Sequence, residues 1–171
     1  GGGMLTDLGG FAASTGNRVT FGGAGVDNAR SYTSQTTGTI YCSFLLNIPA
    51  IGTLYTTGSY FVALSDAGTN FGSGLWVRAS GSNFNLGINP RTTAANTAWL
   101  GSSFTFGTTY LVVIATKVVS GLANDSSKLW VNPSSLGGAE PAFSGAVINT
   151  SGVDLTSFSR VLLRQDGANT T

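Results

Sequence analysis

The sequence predicts an all-β fold, a sandwich of two antiparallel sheets, and three observations support this prediction. No segment of ten or more residues places apolar side chains at the i, i+3, i+4, i+7 spacing of an amphipathic helix. Short β-branched and aromatic runs recur instead, separated by clusters of Gly, Asn, Ser and Thr. The 171 residues suffice for one domain with a sizeable core. About ten short strands without a long helix indicate a sandwich or a barrel.

Each predicted strand is a run of apolar, β-branched or aromatic residues bounded by turn-forming residues. The segment Gly1–Gly16 is rich in glycine and has no strand pattern, so it predicts an N-terminal arm. Residues 17–171 are predicted to form a single domain, because no linker-like segment divides them. The predicted strands are Asn17–Phe21, Thr39–Ile48, Ser59–Ser65, Leu75–Ala79, Phe84–Ile88, Thr97–Leu100, Tyr110–Val119, Lys128–Asn132, Ala146–Ile148 and Phe158–Gln165.

Two of these strands indicate how the sheets pack. Thr39–Ile48 has one apolar face and one mixed face, which is typical of a sheet with one side on the core. Tyr110–Val119 is apolar on both faces until Lys117, which predicts a central strand covered on both sides or one whose outer face binds something. The loop Ser120–Ser127 then connects it to the next strand as an antiparallel hairpin. The apolar face of the first strand consists of Ile40, Cys42, Phe44, Leu46 and Ile48.

Composition excludes several classes of function. Charged residues make up 9% of the chain, against about 25% in ordinary soluble domains. The net charge of +1 gives no basic patch for phosphates, so no nucleic-acid partner is predicted. No apolar run approaches the roughly 18 residues of a membrane span. The neutral, Gly/Ser/Thr-rich surface suits an extracellular binding or packing module. Cys42, the single cysteine, is predicted to be a buried structural thiol.

Several phrases of the sequence occur in an order that resembles a known family. The phrases are NRVTFGG (17–23), GTIYCSFLLNI (38–48), YFVALSD (60–66), LWVRAS (75–80), FNLGI (84–88), TTYLVVIATKVVSGLANDSSKLWVNP (108–133), EPAF (140–143) and FSRVLLRQ (158–165). This order resembles bacterial extracellular domains of the concanavalin A-like lectin/glucanase superfamily, of the laminin-G-like jelly-roll kind. The hairpin ending NDSSKLWVNP, followed by an LRQ strand, is the most specific part.

The resemblance implies two curved sheets packed face to face, with sugars bound on the concave face or at its rim and calcium often beside them. The first hypothesis is therefore a non-catalytic carbohydrate-binding or adhesion module of a secreted or cell-surface protein, with a glycan or cell-surface polymer as partner. Domains of this kind usually have an earlier strand, whereas only sixteen residues precede Asn17 here. An uncovered core edge would suit the alternative, a structural subunit of a surface layer or filament that shares strands with neighbouring copies.

Catalytic residues are sparse in this chain. Glycoside hydrolysis needs two carboxyl groups that flank the scissile bond. The glucanases of the superfamily have a glutamate pair on one strand, whereas this chain has a single glutamate, Glu140, next to Pro141. It also has no histidine to activate a serine or cysteine nucleophile. The sequence therefore predicts no enzymatic activity, and a glycan-cleaving enzyme is the least favoured of the three hypotheses.

Two loops have the oxygen-bearing side chains that calcium prefers. One contains Asp66 and Asn70, and the other contains Asn124 and Asp125. The competing interpretation is that these side chains cap their own turns through hydrogen bonds to the backbone. Zinc is excluded, because the chain has no histidine and only one cysteine.

A sugar site would combine an aromatic platform with hydrogen-bonding side chains. Trp99 is the predicted exposed platform, since it follows the polar loop Asn89–Asn96, and Asn89 and Arg91 are its predicted companions. Trp76 and Trp130 alternate with aliphatic residues and are predicted to pack inside the fold.

Arg164 lies within an apolar strand, and a charge in that position needs a partner or a solvated face. The sequence predicts a structural ion pair with Asp125 or Asp154, and contact with a ligand is the alternative.

Overall fold

The computed structural model describes residues 17–22, 25–68, 70–90, 94–134, 138–140, 145–148 and 154–165. These residues form ten β-strands and a short 3₁₀ turn at Ala94–Asn96, with no α-helix among them. The strands are β1 (Asn28–Gln35), β2 (Gly38–Asn47), β3 (Ser59–Ser65), β4 (Phe71–Ser80), β5 (Asn83–Asn89), β6 (Ala98–Trp99), β7 (Thr109–Val118), β8 (Ser126–Val131), β9 (Gly145–Ile148) and β10 (Phe158–Leu163).

The strands form two antiparallel sheets, which confirms the predicted all-β, two-sheet architecture. A six-stranded sheet has the order β1-β10-β3-β4-β5-β6, and a four-stranded sheet has the order β2-β7-β8-β9. Strands adjacent in sequence often pair directly, as in the hairpins β3–β4, β4–β5 and β7–β8. The strands β1 and β2 follow each other in sequence but belong to different sheets, so the chain crosses between the sheets at residues 36–37.

The core lies between the two sheets. Leu64, Leu75 and Ile88 project from the six-stranded sheet, and Ile114 and Leu129 project from the four-stranded sheet, all of them fully buried in one hydrophobic cluster. Each such side chain contributes roughly 1.5–3 kcal/mol through removal of its surface from water. This shared cluster is what holds the two sheets face to face.

The strands β2 and β7 have the predicted pattern. The apolar face of β2 packs against the core, whereas Tyr41 on the opposite face is exposed. Strand β7 is buried on both faces, because Leu111 and Val113 on its outer side form a second cluster with Trp130 of β8. Lys117 is the residue at which this burial is interrupted.

The first predicted strand is wrong. Residues 17–22 are not in a strand, and Val19 is exposed, although Phe21 stacks on Phe61 with ring centroids 6.4 Å apart. The strand that pairs with β10 at the edge of the sheet is β1, Asn28–Gln35, which the sequence did not reveal because seven of its eight residues are exposed. Such an edge strand has no apolar alternation, since neither of its faces lies deep in the core.

Some strand boundaries also differ from the prediction. Strand β4 begins at Phe71 rather than Leu75, because two glycines and Ser73, with φ of +35°, continue the strand through a bulge opposite β3. Strand β6 contains only Ala98–Trp99 of the predicted Thr97–Leu100. No helix in the described part of the chain has the length and apolar character needed to cross a membrane. The predicted arm Gly1–Gly16 lies outside the described residues.

Candidate functional site

A row of aromatic residues crosses four strands on the outer face of the six-stranded sheet. Tyr60 on β3 is opposite Trp76 on β4, Trp76 is opposite Gly87 on β5, and Gly87 is opposite Trp99 on β6. Directly opposed residues lie on the same face of a sheet. The core is on the other face, where the neighbours Leu75 and Ile88 point, so this row faces away from the core.

Glycine makes room for Trp99. A Cβ atom at Gly87 would lie 2.8 Å from Trp99 Cε3, and one at Gly58 would lie 2.5 Å from Trp99 Cη2. Both distances are shorter than van der Waals contact, so the indole ring lies directly against the backbone at these two positions. The indole ring of Trp99 can lie flat on the sheet because Gly58 and Gly87 have no side chains.

Two arginine side chains lie over rings of this row. The guanidinium carbon of Arg78 is 4.2 Å from the ring centroid of Trp99, and that of Arg164 is 4.4 Å from the ring centroid of Tyr60. Such cation–π contacts contribute about 0.5–1 kcal/mol at exposed sites and more where water is excluded. Arg78 also donates from Nε to Asn85 Oδ1 at 3.3 Å, which fixes the plane of its guanidinium group.

The centre of the row is packed more tightly than its ends. Tyr60 contacts both Phe71 and Trp76, with ring centroids 5.8 and 5.9 Å apart. Trp76 is only 4% exposed, and no described residue accepts a hydrogen bond from its indole N–H. Tyr60, Phe71 and Trp99 are half-buried. We call Tyr60, Trp76, Trp99, Arg78 and Arg164 the aromatic–arginine row.

The structure places two of the three predicted sugar-binding residues on this face. Trp99 ends the row, and Asn89 follows Gly87 by two positions on β5, so both lie on the same side of the sheet. Asn89 is fully buried and donates from Nδ2 to Thr97 Oγ1 at 2.9 Å, which orients the chain that leads into β6. The third residue, Arg91, lies outside the described residues. Trp76 and Trp130 are buried, as predicted.

The contacts of Arg164 are with Ser59 and Tyr60, whereas the sequence predicted an ion pair with Asp125 or Asp154. Its Nη1 donates to Ser59 Oγ at 2.8 Å, and its guanidinium group covers Tyr60. Asp125 and Asp154 instead accept hydrogen bonds from backbone N–H groups of the β7–β8 connection. The arginine therefore belongs to the aromatic–arginine row.

The first loop predicted to bind calcium is closed on itself. Asp66 Oδ1 accepts hydrogen bonds from the backbone N–H groups of Gly68 and Asn70, at 2.8 and 3.2 Å. Asp66 Oδ2 accepts from Asn70 Nδ2 at 2.7 Å. The Asn70 side chain is the main cause that lowers the pKa of Asp66, with Arg160 adding a smaller effect. This is the geometry of a side chain that caps its own turn.

The second such loop is different, because its oxygens are buried. Asp125 is 4% exposed and Asp154 is 8% exposed. Asp154 Oδ2 accepts from the backbone N–H groups of Asn124 and Asp125, at 2.6 and 3.1 Å, so the two carboxylates lie at one end of the sandwich. Burial raises the pKa of Asp125, and the nearby Asp154 charge raises it further, against the hydrogen bond from the Val119 N–H. Asp154 was not among the predicted ligands.

A further polar cluster lies on the outer face of the four-stranded sheet. Glu140 accepts a hydrogen bond from the Tyr41 hydroxyl at 3.0 Å and forms an ion pair with Lys128. The hydrogen bond from Lys128 is the main cause that lowers the pKa of Glu140. Elsewhere on β2, burial raises the pKa of the half-buried Cys42 thiol, which fits a structural role.

Sequence reasoning missed Tyr60 and Arg78 as members of the site. Arg78 and Trp76 are two positions apart on one strand, which signals a shared face. Their relation to Tyr60 and Trp99 depends on strand register, which includes a bulge between Tyr60 and Val62. The sequence contains no local signal for that bulge.

These features define the class of protein as an all-β antiparallel sandwich with an aromatic–arginine row on its larger sheet. Comparison with protein-family models, with curated proteins and with solved structures found no match.

Proposed function

We propose that this chain is a non-catalytic carbohydrate-binding module of a bacterial secreted or cell-surface protein, with a glycan or cell-surface polymer as its partner. The observation that carries the proposal is the aromatic–arginine row, in which half-buried rings and two guanidinium groups occur together on one sheet face. We further propose that the sandwich is a concanavalin A-like jelly roll of the laminin-G-like kind, as the resemblance of its sequence implies.

The chemistry of the row suits a sugar better than an apolar or a strongly charged ligand. The apolar faces of pyranose rings pack on exposed parts of aromatic rings, and Tyr60 and Trp99 are the half-buried rings of the row. Because Arg164 lies over Tyr60 and Arg78 over Trp99, a sugar would contact the uncovered part of each ring beside the guanidinium group. Sugar hydroxyls accept hydrogen bonds from planar, fixed donors, and Arg78 is held by Asn85 while its guanidinium group covers Trp99.

The absence of enzymatic activity is part of the proposal. It is supported by the sequence, which has one glutamate and no histidine. Glu140 lies over the four-stranded sheet, in an ion pair with Lys128, and the aromatic–arginine row is on the other sheet. A pair of carboxyl groups flanking a bound sugar would be needed for hydrolysis.

A second candidate is a subunit of a surface layer or filament that shares strands with neighbouring copies. Strand β1 favours it, because β1 pairs with β10 on one side and has seven exposed residues out of eight. Exposed edge strands are templates for pairing with another chain. Light scattering and electron microscopy distinguish the candidates, since a module that binds glycan as a monomer forms no ordered assemblies at any concentration tested.

A glycan array tests the first candidate, with the wild-type chain applied in calcium and in EDTA. We expect binding to a restricted set of glycans and a loss of about tenfold or more in affinity for Arg78→Ala, since a hydrogen bond to a charged group contributes roughly 1.5–3 kcal/mol. Arg78→Lys should also weaken binding, because the planar donor is lost while the charge remains.

Arg30→Ala is the matched control, because Arg30 is an exposed arginine of edge strand β1. This variant removes one positive charge, as Arg78→Ala does, but at a position outside the row, and it should leave glycan affinity unchanged. A folded wild-type chain that binds no glycan in either condition would falsify the proposal. Equal weakening by Arg30→Ala and Arg78→Ala would instead show non-specific attraction to charge.

A further inference from the structure

Charge is distributed unevenly between the two sheets. The six strands of the larger sheet contain three arginines, Arg30, Arg78 and Arg160, and no lysine, aspartate or glutamate. Arg164 follows directly after β10. On the four-stranded sheet, by contrast, Lys128 is paired with the carboxylate of Glu140. A chain with a net charge of only +1 therefore has one sheet whose strands carry positive charge alone.

Arg78 differs from the other two arginines of these strands in its surroundings. Arg30 is exposed to water. Arg160 has a carboxylate nearby, because it adds to the lowering of the pKa of Asp66 that the Asn70 side chain chiefly causes. Arg78 is half-buried, and its contacts among the described residues, with the Asn85 side chain and the Trp99 ring, are both with uncharged groups. An opposite charge beside such a group is favourable.

The guanidinium group of Arg78 is fixed in place with its far end open. Its Nε donates to Asn85 Oδ1 at 3.3 Å, and Asn85 is held in turn by hydrogen bonds from Nδ2 to the Ser102 carbonyl and to Ser103 Oγ, at 3.1 and 3.2 Å. The face of the group lies 4.2 Å from the centroid of the Trp99 ring. Nη1 and Nη2 donate to no described residue, and neither atom is shut off from solvent.

Two such nitrogens match one chemical group in particular. Their N–H donors lie in one plane and point the same way, so they pair with both oxygens of a carboxylate at once. A sugar hydroxyl engages fewer of these donors and brings no charge. Arg164 adds a second positive charge to the same face of the sheet, where it lies over Tyr60 and donates to Ser59.

We propose that the aromatic–arginine row binds an acidic sugar, whose carboxylate accepts hydrogen bonds from Nη1 and Nη2 of Arg78. The inference rests on the proposed glycan-binding function and narrows it to glycans that carry a carboxylate. The uncovered part of the Trp99 ring packs against the apolar face of the sugar, and Arg164 contributes to the positive potential of the site. A sugar with one carboxylate is otherwise neutral, so it needs few cations from the protein.

Matched pairs of ligands test the inference on the wild-type chain. Calorimetry is carried out with oligogalacturonides, glucuronate-containing oligosaccharides and sialyllactose, each compared with its carboxyl methyl ester. The ester keeps the ring and the hydroxyls but removes the charge. At least one acid should bind about tenfold or more tightly than its ester, because hydrogen bonds between charged groups are the strong ones. A rise to about 1 M salt should weaken binding of the acid much more than binding of the ester.

The ratio of acid to ester affinity locates the carboxylate. Arg78→Gln should bring this ratio down to about one, since the charged partner of the carboxylate is lost. Arg30→Gln is the matched control, because it removes a positive charge from edge strand β1 of the same sheet and should leave the ratio unchanged. Arg78→Lys keeps the charge without the planar pair of donors, so the ratio should fall only part of the way. A purely structural role of Arg78 would lower both affinities and leave the ratio as it was.

The outcomes separate this inference from the function on which it rests. Equal affinity for each acid and its ester, or binding of neutral glycans alone, would overturn the inference and leave glycan binding in place. A folded chain that binds no glycan would overturn both. An unchanged ratio in Arg78→Gln would reject Arg78 as the partner of the carboxylate. The salt dependence of the wild-type chain decides the question without any variant, since acid binding that is insensitive to salt contradicts a charged contact.

Discussion

Arg78 and Trp99 are on strands β4 and β6, and they meet across β5 with the guanidinium carbon 4.2 Å from the ring centroid. The contact is possible because Gly87, on the intervening strand opposite Trp99, has no side chain. Trp99 comes from a strand of only two residues, so its position depends on these contacts more than on the sheet ladder. This half-buried ring of the candidate site is therefore held by packing against glycine and by one cation.

Replacement of Gly58 by alanine should test this packing. A Cβ there would lie 2.5 Å from Trp99 Cη2 and 3.2 Å from the Val77 carbonyl, and Gly58 has φ of +86°. The positive φ alone costs an alanine roughly 1–2 kcal/mol. The clash with the indole ring should add about 1–3 kcal/mol, since overpacked sites force their neighbours to move. Urea unfolding monitored by tryptophan fluorescence gives the change in free energy of unfolding.

Gly81→Ala is the matched control, because Gly81 has φ of +59° and nothing within 4 Å of its Cβ position. It shares the backbone strain of Gly58→Ala without the clash. Equal losses of stability in the two variants would show that Trp99 does not lie where the structure places it.

Much of the fold follows from the sequence, because burial on one face imposes an alternation that is visible in the residues. Strand β2 is the clearest example, since every second residue from Ile40 packs on the core. Strand β1 could not be predicted in this way, because seven of its eight residues are exposed and only Tyr32 packs against the core. The β-branched and aromatic residues at positions 17–21 led to the opposite error, because this segment is not a strand and Val19 is exposed.

The candidate site was less predictable than the fold, because its residues meet across strands. The choice of Trp99 rested on its sequence context alone, and Tyr60, which lies three strands away in the same row, gave no signal. The pairing of Asp154 with Asn124 joins residues thirty positions apart through the chain's path around the end of the sandwich. Such contacts depend on register and topology, which local patterns do not determine.

Glu140 should make stability depend on pH in the acid range. Its pKa is lowered, chiefly by the hydrogen bond from Lys128 and also by that from Tyr41. A carboxyl with a depressed pKa stabilises the folded state above its unfolded pKa of about 4.3, and this stabilisation is lost as pH falls through the folded value. Glu140→Gln should therefore lower Tm slightly near pH 7, where the carboxylate is ionised, and should differ least from the wild type below the folded pKa of Glu140, so that the acid limb of a plot of Tm against pH becomes flatter.

A double-mutant cycle measures the ion pair itself. Lys128→Ala, Glu140→Ala and the double variant should give a coupling of about 0.2–1 kcal/mol, because both side chains are partly exposed, at 28% and 34%. The coupling should shrink in 1 M salt. Lys117→Ala is the control, since Lys117 is exposed on the same sheet and acts on Glu140 only weakly and through space. A coupling that is unaffected by salt would contradict a contact of this kind.

The buried hydrogen bond from Ser73 Oγ to Ser127 Oγ, 2.7 Å long, should contribute measurably to stability, because it joins the two sheets across the core. Both residues are fully buried, so Ser127→Ala leaves the Ser73 hydroxyl without its partner and should cost about 1–3 kcal/mol. Ser73→Ala should cost a similar amount, and the double variant should cost less than the sum, with a coupling of about 0.5–1.5 kcal/mol. Ser43→Ala, at an exposed position of β2, should stay within about 0.5 kcal/mol of the wild type. Additive losses in the double variant would mean that the two hydroxyls do not pair, and the bulge that turns Ser73 towards the core would then need another explanation.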